Sequence, residues 1–292
     1  MNELTLSGIQ ANAFFIKCIG LFFIICWFVI WLIIVYRGCK IVKFCKKTYR
    51  KYRLFFRKLL TPFPKTRLFL IKRFDNSKLS GLHLTLAFIV FISLLLLLFG
   101  VTEDFIEQDF IVQIDYWVAK NVALVRSELV VDFFHFITFL GNGIFILCLL
   151  VIISLIIIYI YNYFWLLPLI ISVVGSMSTA WLSKYFFLRS RPIEAILIEQ
   201  SPSFPSGHST IAMSFYAVLF YLWWRHQCNC NVRIIISFLG SSFVLLLAFS
   251  RIIIGVHYLT DVIAGLLLGG LWFIIAVSLY EWLNDKSYIQ LK

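Results

Sequence analysis

Residues 136–160 read FITFLGNGIFILCLLVIISLIIIYI, a stretch of 25 residues without a single charged side chain. A helix that crosses the hydrocarbon core of a bilayer needs about 20 mainly apolar residues. Backbone polar groups in lipid must also be satisfied within each segment, which a helix achieves. Six further long apolar runs lie at 13–36, 82–101, 164–188, 208–224, 233–250 and 258–280. The seven runs together predict an all-α, polytopic membrane helical bundle.

The composition agrees with a membrane protein. Hydrophobic residues make up 62% of the 292-residue chain and charged residues only 14%, whereas soluble domains are about a quarter charged. Residues 79–292 are predicted to form a six-helix core, and residues 1–78 to add one N-terminal helix and a basic cytoplasmic connector. Met1 to Ala13 lack the positively charged start of a secretory signal, so we expect the first helix to be retained.

Charge is distributed unevenly along the chain. Residues 37–78 hold fifteen of the 26 Lys and Arg residues and one acid, Asp75, whereas 102–134 hold seven acids and two basic residues. Lys and Arg near the ends of spanning helices mark the cytoplasmic side. The sequence therefore predicts that 37–78 is cytoplasmic and that 102–134, 189–207 and 251–257 lie on the extracytoplasmic side of the cell (inner) membrane.

The connector has the pattern of a basic amphipathic helix. From Lys40 to Leu59, apolar residues recur every three or four positions with Lys and Arg between them, and Pro62 and Pro64 follow. Such a helix lies on an anionic leaflet, where each basic residue contributes about 1 kcal/mol. We therefore expect anionic lipid, and no nucleic acid, as the partner of this segment; a plain topology anchor is the alternative interpretation.

Three further patterns concern packing and the thiols. The acidic segment 102–134 mixes apolar residues with its acids at helical spacing, which predicts one or two interfacial helices, or helices packed on the bundle. Gly265 and Gly269 are four residues apart, which predicts a close helix contact. The seven scattered cysteines predict free thiols. Cys228 and Cys230 offer too few ligands for a closed zinc site, so no metal is expected.

One cluster of polar residues joins the last two apolar runs. Ser250-Arg251 ends one run, and His257 and Asp261 are four residues apart at the start of the next. Residues four apart share a face of a helix, so Asp261 is expected to accept the proton-bearing nitrogen of His257 and to orient the ring. A histidine held in this way can attack phosphorus and carry the phosphoryl group covalently. Taken alone, such a pair is more commonly structural.

A second cluster, Phe204-Pro205-Ser206-Gly207-His208, opens the apolar run that follows it. Proline fixes φ, and the backbone N–H groups at the start of a helix point towards an anion. His208, if protonated, can donate to a leaving oxygen as a general acid. A plain helix start with an interfacial histidine is the alternative interpretation.

The third cluster closes the fourth apolar run. Lys184 is followed after six residues by Arg191-Pro192. Arg191 can bind a phosphate in a bidentate manner, while Lys184 acts as a point charge. Their separation of two helical turns predicts that both lie on the same side near the outer surface. For Arg189, snorkelling of a long side chain from the helix end to water is the better account.

In chain order the clusters read Lys-x6-Arg-Pro, Pro-Ser-Gly-His and Ser-Arg-x5-His-x3-Asp. This pattern resembles the type-2 phosphatidic acid phosphatase family at every motif position, and the resemblance covers about 79–280. Glu199, between the first two motifs, matches no motif position and is interpreted as a head-group contact.

The resemblance implies a metal-independent and cofactor-free lipid phosphate phosphatase that works through a phosphohistidine. His257 would be the nucleophile, Asp261 would orient it, and His208 would protonate the leaving lipid oxygen and then activate water. The residues implied to hold the phosphoryl oxygens are Lys184, Arg191, Ser206, the backbone of Gly207, and Arg251.

Two other functions stay open at this point. A lipid-to-lipid phosphotransferase would resolve the phosphohistidine with a lipid hydroxyl in place of water, and the same motifs would serve it. A non-catalytic lipid-binding pseudoenzyme has no need to keep His208, His257 and Asp261 together, which disfavours it. Because all three clusters are predicted to emerge on the outer face, the expected substrate is a phosphorylated lipid at that membrane interface.

Overall fold

The computed structural model describes residues 25–41, 43–44, 47–48, 52, 84–160 and 166–290, with side chains described as far as Asn284. All regular structure within these residues is helical. The helices, numbered in chain order, are α1 (25–41), α2 (Leu84–Glu107), α3 (Phe110–Leu124), α4 (Glu128–Phe139), α5 (Gly143–Ile160), α6 (Leu166–Phe187), α7 (Gly207–Ile211), α8 (Ala217–Arg225), α9 (Cys230–Ile253) and α10 (Leu259–Gln290).

The bundle contains five described helices that are long and apolar enough to cross a membrane, namely α2, α5, α6, α9 and α10. The prediction of an all-α polytopic bundle is therefore confirmed. The predicted run 208–224 corresponds to α7 and α8, which are joined by one π-helical turn, Ala212–Tyr216. The predicted run 13–36 lies partly outside the described residues.

The apolar run 136–160 is not one helix, as the sequence predicted, but two. α4 ends at Phe139 and α5 begins at Gly143. The side chain of Asn142 accepts a hydrogen bond from the backbone N–H of Ile144 at 2.9 Å, which caps the start of α5. A Cβ added to Gly141 would lie 2.8 Å from Cδ2 of His208, so the turn between the helices packs directly against a candidate site residue.

The acidic segment 102–134 forms helices, as the sequence predicted. α3 and α4 occupy 110–139, and α3 packs on the bundle through Val118 and Val122. These side chains contact Ala248, Ile252 and Val262 of α9 and α10. α3 is thus a wall of the core and not a helix held only by the lipid interface.

α10 is the central helix and contacts α2, α6 and α7. The close contact predicted for Gly265 and Gly269 is confirmed. A Cβ on Gly265 would lie 2.6 Å from the backbone oxygen of Ser206, and one on Gly269 would clash with the backbone oxygen of Thr210. The two glycines therefore let α7, and the motif at its start, rest against the backbone of α10.

α1 packs antiparallel along α9. The rings of Trp27 and Trp31 lie 5.5 and 5.4 Å from that of Phe238, and Cys39 forms a disulfide with Cys230 across a Cα–Cα distance of 6.1 Å. The expectation that all seven cysteines are free is wrong for this pair. The two positions are 191 residues apart, and only the packing of α1 on α9 brings them together. The described cysteines Cys26, Cys148 and Cys228 are free.

Most of the basic connector lies outside the described residues. The division into 1–78 and 79–292, and the amphipathic helix within the connector, stay predictions.

Candidate active site

The three sequence clusters converge on one cavity of about 390 Å³. One part of its wall is polar and the rest is apolar. The polar lining residues are Lys184, Glu199, Ser201, Gly207, His208 and His257. The apolar lining comes from Ile146, Leu147 and Leu150 of α5, from Val173 and Met177 of α6, and from Ile211. The arrangement suits a molecule with a charged end and an apolar chain.

His257 lies just before α10, so the predicted shared helical face with Asp261 is wrong in detail. The pair meets because the chain turns into the helix at Tyr258, whose backbone N–H donates to Oδ2 of Asp261 at 2.9 Å. Nδ1 of His257 lies 3.4 Å from the same Oδ2. Nε2, on the other side of the ring, lies 3.3 Å from Nη1 of Arg191. The ring therefore presents one nitrogen to a carboxylate and the other to a cation of the anion-binding motif.

The environment of His257 favours the neutral imidazole. Burial lowers its pKa well below the ordinary histidine value, and the positive charges of Arg251 and Arg191 act in the same direction. With a lowered pKa, the neutral form persists as the pH falls through the ordinary histidine range. A neutral ring keeps a lone pair available for attack on phosphorus.

Lys184 and Arg191 lie on the same side, as predicted, but through a loop and not through a continuous helix. α6 ends at Phe187. Lys184 donates to the backbone oxygen of Pro202, and its Nζ lies 3.5 Å from Oγ of Ser201. Arg191 donates from Nε to the backbone oxygen of Ser201 at 2.8 Å. The two cations are held by one short stretch of loop at the edge of the cavity.

Ser206 and Gly207 play different structural parts. Ser206 is fully buried, and its Oγ accepts hydrogen bonds from the backbone N–H of Ser209 at 3.4 Å and from the hydroxyl of Ser209 at 3.0 Å. The Ser206 side chain thus caps α7 and is not among the cavity-lining residues. Gly207 does line the cavity, and a Cβ there would meet nothing within 4 Å.

Glu199 joins the two arginines that were predicted to grip phosphate. Its carboxylate forms an ion pair with Nη2 of Arg191 at 2.7 Å and with Nη2 of Arg251. Burial would raise the pKa of Glu199, but the charges of Arg251 and Arg191 outweigh burial and hold the pKa below its ordinary value. No local pattern in the sequence indicates this role, because Arg251 lies 52 positions away from Glu199.

Arg251 itself is only 1% exposed. Besides Glu199, it donates from Nη1 to the hydroxyl of Thr138 at 2.7 Å. Thr138 lies in α4, just before the turn that divides 136–160. The arginine is thus oriented from both sides, and its guanidinium has little freedom to move.

Arg189 does not snorkel to water, which corrects the interpretation from the sequence. Its side chain is buried and forms ion pairs with Asp261 at 2.6 Å and with Asp115 at 2.7 Å. Asp115 belongs to α3, where the buried residues Val112, Asp115 and Ala119 are three and four positions apart. An acid inside an apolar stripe of this spacing was the signal that could have identified Asp115 as buried.

Among the described residues, no group of three His, Cys, Asp or Glu side chains has the arrangement of a metal site. The described polar side chains that line the cavity are instead one cation, two histidines, one carboxylate and a serine hydroxyl. Arg191 and Arg251 stand directly behind the carboxylate of Glu199. This donor set suits an oxyanion with a nucleophile beside it.

Comparison with known proteins gives a consistent result. The profile of the PAP2 superfamily matches residues 146–285, which contain all three clusters. Phosphatidylglycerophosphatase B of Bacillus subtilis (strain 168) is 31% identical over 191 residues, which cover 64% of this chain and 93% of that protein. Lipid A 1-phosphatase of Rhizobium etli is 36% identical over 77 residues, which cover 26% of this chain and 28% of that protein.

A solved structure extends the likeness to three dimensions. The crystal structure of a transmembrane PAP2-type phosphatidylglycerolphosphate phosphatase from Bacillus subtilis is 29% identical in sequence and has a TM-score of 0.61. The match covers 65% of this chain and 96% of that chain.

Proposed function

Because the chain belongs to the PAP2 superfamily and is a membrane-integral lipid phosphatase, we propose that it acts through a phosphohistidine at His257. The lone pair of His257 Nε2 forms an N–P bond while the bond between phosphorus and the lipid oxygen breaks. The electron pair of that bond goes to the lipid oxygen, which takes a proton from protonated His208. Water that His208 deprotonates then breaks the N–P bond and releases inorganic phosphate.

One observation carries this proposal. Nε2 of His257 lies 3.3 Å from the guanidinium of Arg191, and His208 lines the same cavity. A phosphate bound by Arg191 would therefore place its phosphorus within reach of Nε2. Asp261, 3.4 Å from Nδ1, would hold the proton on the nitrogen that does not attack.

Lys184, Arg191, Arg251 and the backbone of Gly207 would bind the phosphoryl oxygens. Glu199 supplies the negative charge that faces both arginines. A phosphate carries the same sign of charge and can accept hydrogen bonds from the same guanidinium groups. The substrate phosphate would accordingly replace the carboxylate of Glu199 between Arg191 and Arg251.

The apolar part of the cavity supports a lipid as the substrate. Its wall is built by α5 and α6, both of which are long enough to span the membrane. A hydrocarbon chain bound there would stay shielded from water while its phosphate reached His257. Phosphate monoesters and diphosphates of lipids both present such a terminal phosphoryl group.

The test is phosphate release by the purified, full-length protein in detergent. A panel of phosphatidic acid, phosphatidylglycerol phosphate, lipid A and undecaprenyl diphosphate is offered in the presence of a chelator. We expect release from at least one lipid, and incorporation of one oxygen from 18O-labelled water into the released phosphate. Transfer of the phosphoryl group to an added lipid alcohol, without labelled phosphate, would instead indicate a phosphotransferase. Activity that the chelator abolishes would contradict metal independence.

We also propose that the cavity opens on the extracytoplasmic side of the cell membrane. The support is the asymmetry of charge, with fifteen Lys and Arg residues in 37–78 and seven acids in 102–134. The basic connector would bind anionic lipid of the cytoplasmic leaflet, with no nucleic acid as partner. The chemistry would reside entirely in 79–292.

Cysteine labelling in intact cells checks this orientation. Ile198 is 97% exposed beside the cavity, and Cys228 is exposed at the opposite end, before α9. A cysteine-free protein with Ile198→Cys should react with a membrane-impermeant thiol reagent. A protein that keeps only Cys228 should react only after the cells are permeabilised. The reverse pattern would overturn the proposed topology.

A further inference from the structure

The carboxylate of Asp115 is 0% exposed although no motif of the active site includes it. Asp115 lies in α3, outside residues 146–285 that the superfamily profile matches. A buried carboxylate is costly unless charged and hydrogen-bonded partners compensate for the lost hydration. The hydrogen-bond and ion-pair partners of Asp115 therefore indicate the role of this buried carboxylate.

Asp115 is bound on both of its oxygens. Oδ1 accepts the backbone N–H of Thr260 at 2.9 Å, and Oδ2 accepts the hydroxyl of the same threonine. Oδ2 also accepts Nη2 of Arg189 at 2.7 Å. Thr260 stands next to Asp261 in the first turn of α10. Asp115 thus fixes the start of the helix that carries Asp261.

Arg189 links Asp115 to Asp261. Its Nη1 donates to Oδ1 of Asp261 at 2.6 Å and to the hydroxyl of Thr260 at 2.7 Å. The guanidinium carbon lies 4.6 Å from the ring centre of Phe105 and 4.3 Å from that of Tyr258. The guanidinium stacks on these two rings, and its edge binds two carboxylates. These contacts together fix its orientation.

The chain of contacts ends at the nucleophile. Asp261 is held on Oδ1 by Arg189 and on Oδ2 by the backbone N–H of Tyr258. Its Oδ2 lies 3.4 Å from Nδ1 of His257. A change in the position or charge of Arg189 would therefore alter the position or the electrostatic environment of Asp261, the carboxylate beside the ring of His257.

We propose that Asp115 is a positioning residue for catalysis, which acts through Arg189 and Asp261 to stabilise the positive charge that His257 acquires when it takes the phosphoryl group. The inference rests on the function proposed above, with His257 as the nucleophile. Its basis is the continuous path of buried contacts from Asp115 to His257 and the balance of charge along that path.

The charges of Asp115, Arg189 and Asp261 do not cancel. Two carboxylates and one guanidinium leave the buried group with a single net negative charge. Formation of the N–P bond turns a neutral imidazole into a cationic one, and that negative charge offsets it. Without Asp115, the charge of Arg189 would cancel that of Asp261, and the cationic ring would lose its compensation. The loss would fall on the chemical step and not on binding of the phosphate.

The test compares Asp115→Asn with the wild type, both full length and in detergent, on dioctanoyl phosphatidic acid. We expect kcat to fall about 10- to 100-fold, the scale on which partners behind a reactive group act. Inhibition by inorganic phosphate should stay close to that of the wild type, because Lys184, Arg191 and Arg251 are untouched. A residue that only stabilised the fold would not separate kcat from phosphate affinity in this way.

A matched control is available at the other end of the bundle. Glu281 forms an ion pair with Arg225 at 2.7 Å, so Glu281→Gln makes the same carboxylate-to-amide change away from the cavity. We expect its kcat to equal that of the wild type. A double-mutant cycle with Arg189→Met adds the second readout. If Asp115 acts through Arg189, the double variant should be no slower than the slower single variant.

Several results would overturn the inference. They are a folded Asp115→Asn protein with the kcat of the wild type, a parallel loss of phosphate affinity, and additive effects of the two substitutions. If Asp115→Asn does not fold, Thr260→Val is the alternative variant, because it removes only the hydroxyl that binds both Asp115 and Arg189. The inference then requires a severalfold loss of kcat at unchanged phosphate affinity. A wild-type protein that forms no protein-bound phosphate would instead contradict the proposed function itself.

Discussion

His257→Ala is expected to abolish turnover while leaving the anion-binding cavity in place. Loss of a nucleophile typically lowers kcat by at least about 10⁴-fold. Lys184, Arg191 and Arg251 are unchanged in this variant, so inorganic phosphate should still bind. A ligand that binds the folded state and not the unfolded state raises the unfolding temperature. The rise in unfolding temperature on addition of phosphate therefore measures binding without any need for activity.

The covalent intermediate provides the sharper measurement. Wild-type protein mixed with a lipid labelled with 32P at its phosphate, and quenched in alkali, should retain label on the chain. His257→Ala should retain none, whereas His135→Ala, a change at an exposed histidine outside the cavity lining, should match the wild type. Near-normal phosphate release by His257→Ala would exclude the phosphohistidine mechanism.

The second large effect is expected at Arg251. Arg251→Met keeps much of the length of the side chain but removes the charge and every donor. Loss of one fixed donor to a developing negative charge lowers kcat by about 10²–10³-fold. Since Arg251 also binds Thr138 and Glu199, we expect a lower unfolding temperature as well. Arg251→Lys should fall between the wild type and Arg251→Met, because it keeps the charge without the planar fork.

Arg225 provides the matched control for this prediction. It also forms an ion pair with a glutamate, Glu281, but stands at the end of α8 away from the cavity. Arg225→Met should reduce stability without a comparable loss of kcat. Activity of Arg251→Met within a few-fold of the wild type, in a folded protein, would remove Arg251 from the phosphate-binding group.

The spanning helices, the family and one close helix contact could be predicted from local sequence. Five of the predicted apolar runs appear as helices long enough to span the membrane, because length and hydropathy are properties of one segment at a time. The three motifs were sufficient to identify the family, and the likeness to the Bacillus subtilis proteins confirms it. The close contact at Gly265 and Gly269 was predictable as well, since missing side chains on one helical face permit a near approach.

Several site features were beyond reach for a physical reason. The sequence placed Asp115 in an acidic outer loop and Arg189 at a water-facing helix end, yet both are buried as partners. Glu199 matched no motif position and turns out to bridge Arg191 and Arg251. In each case, the burial and pairing of a charged side chain depend on the residues that face it across the fold. The spacing of residues within one segment does not contain that information.

By itself, the sequence determined the all-α membrane class, five of the segments that are apolar enough to span the membrane, and the family. The tertiary structure alone decided where α4 stops, that Cys39 meets Cys230, and which carboxylates neutralise which arginines. Helix formation depends on hydrogen bonds four residues apart and on the apolar character of a single segment. A buried ion pair or a disulfide depends on the packing of segments distant in sequence, which the periodicity of neither segment contains.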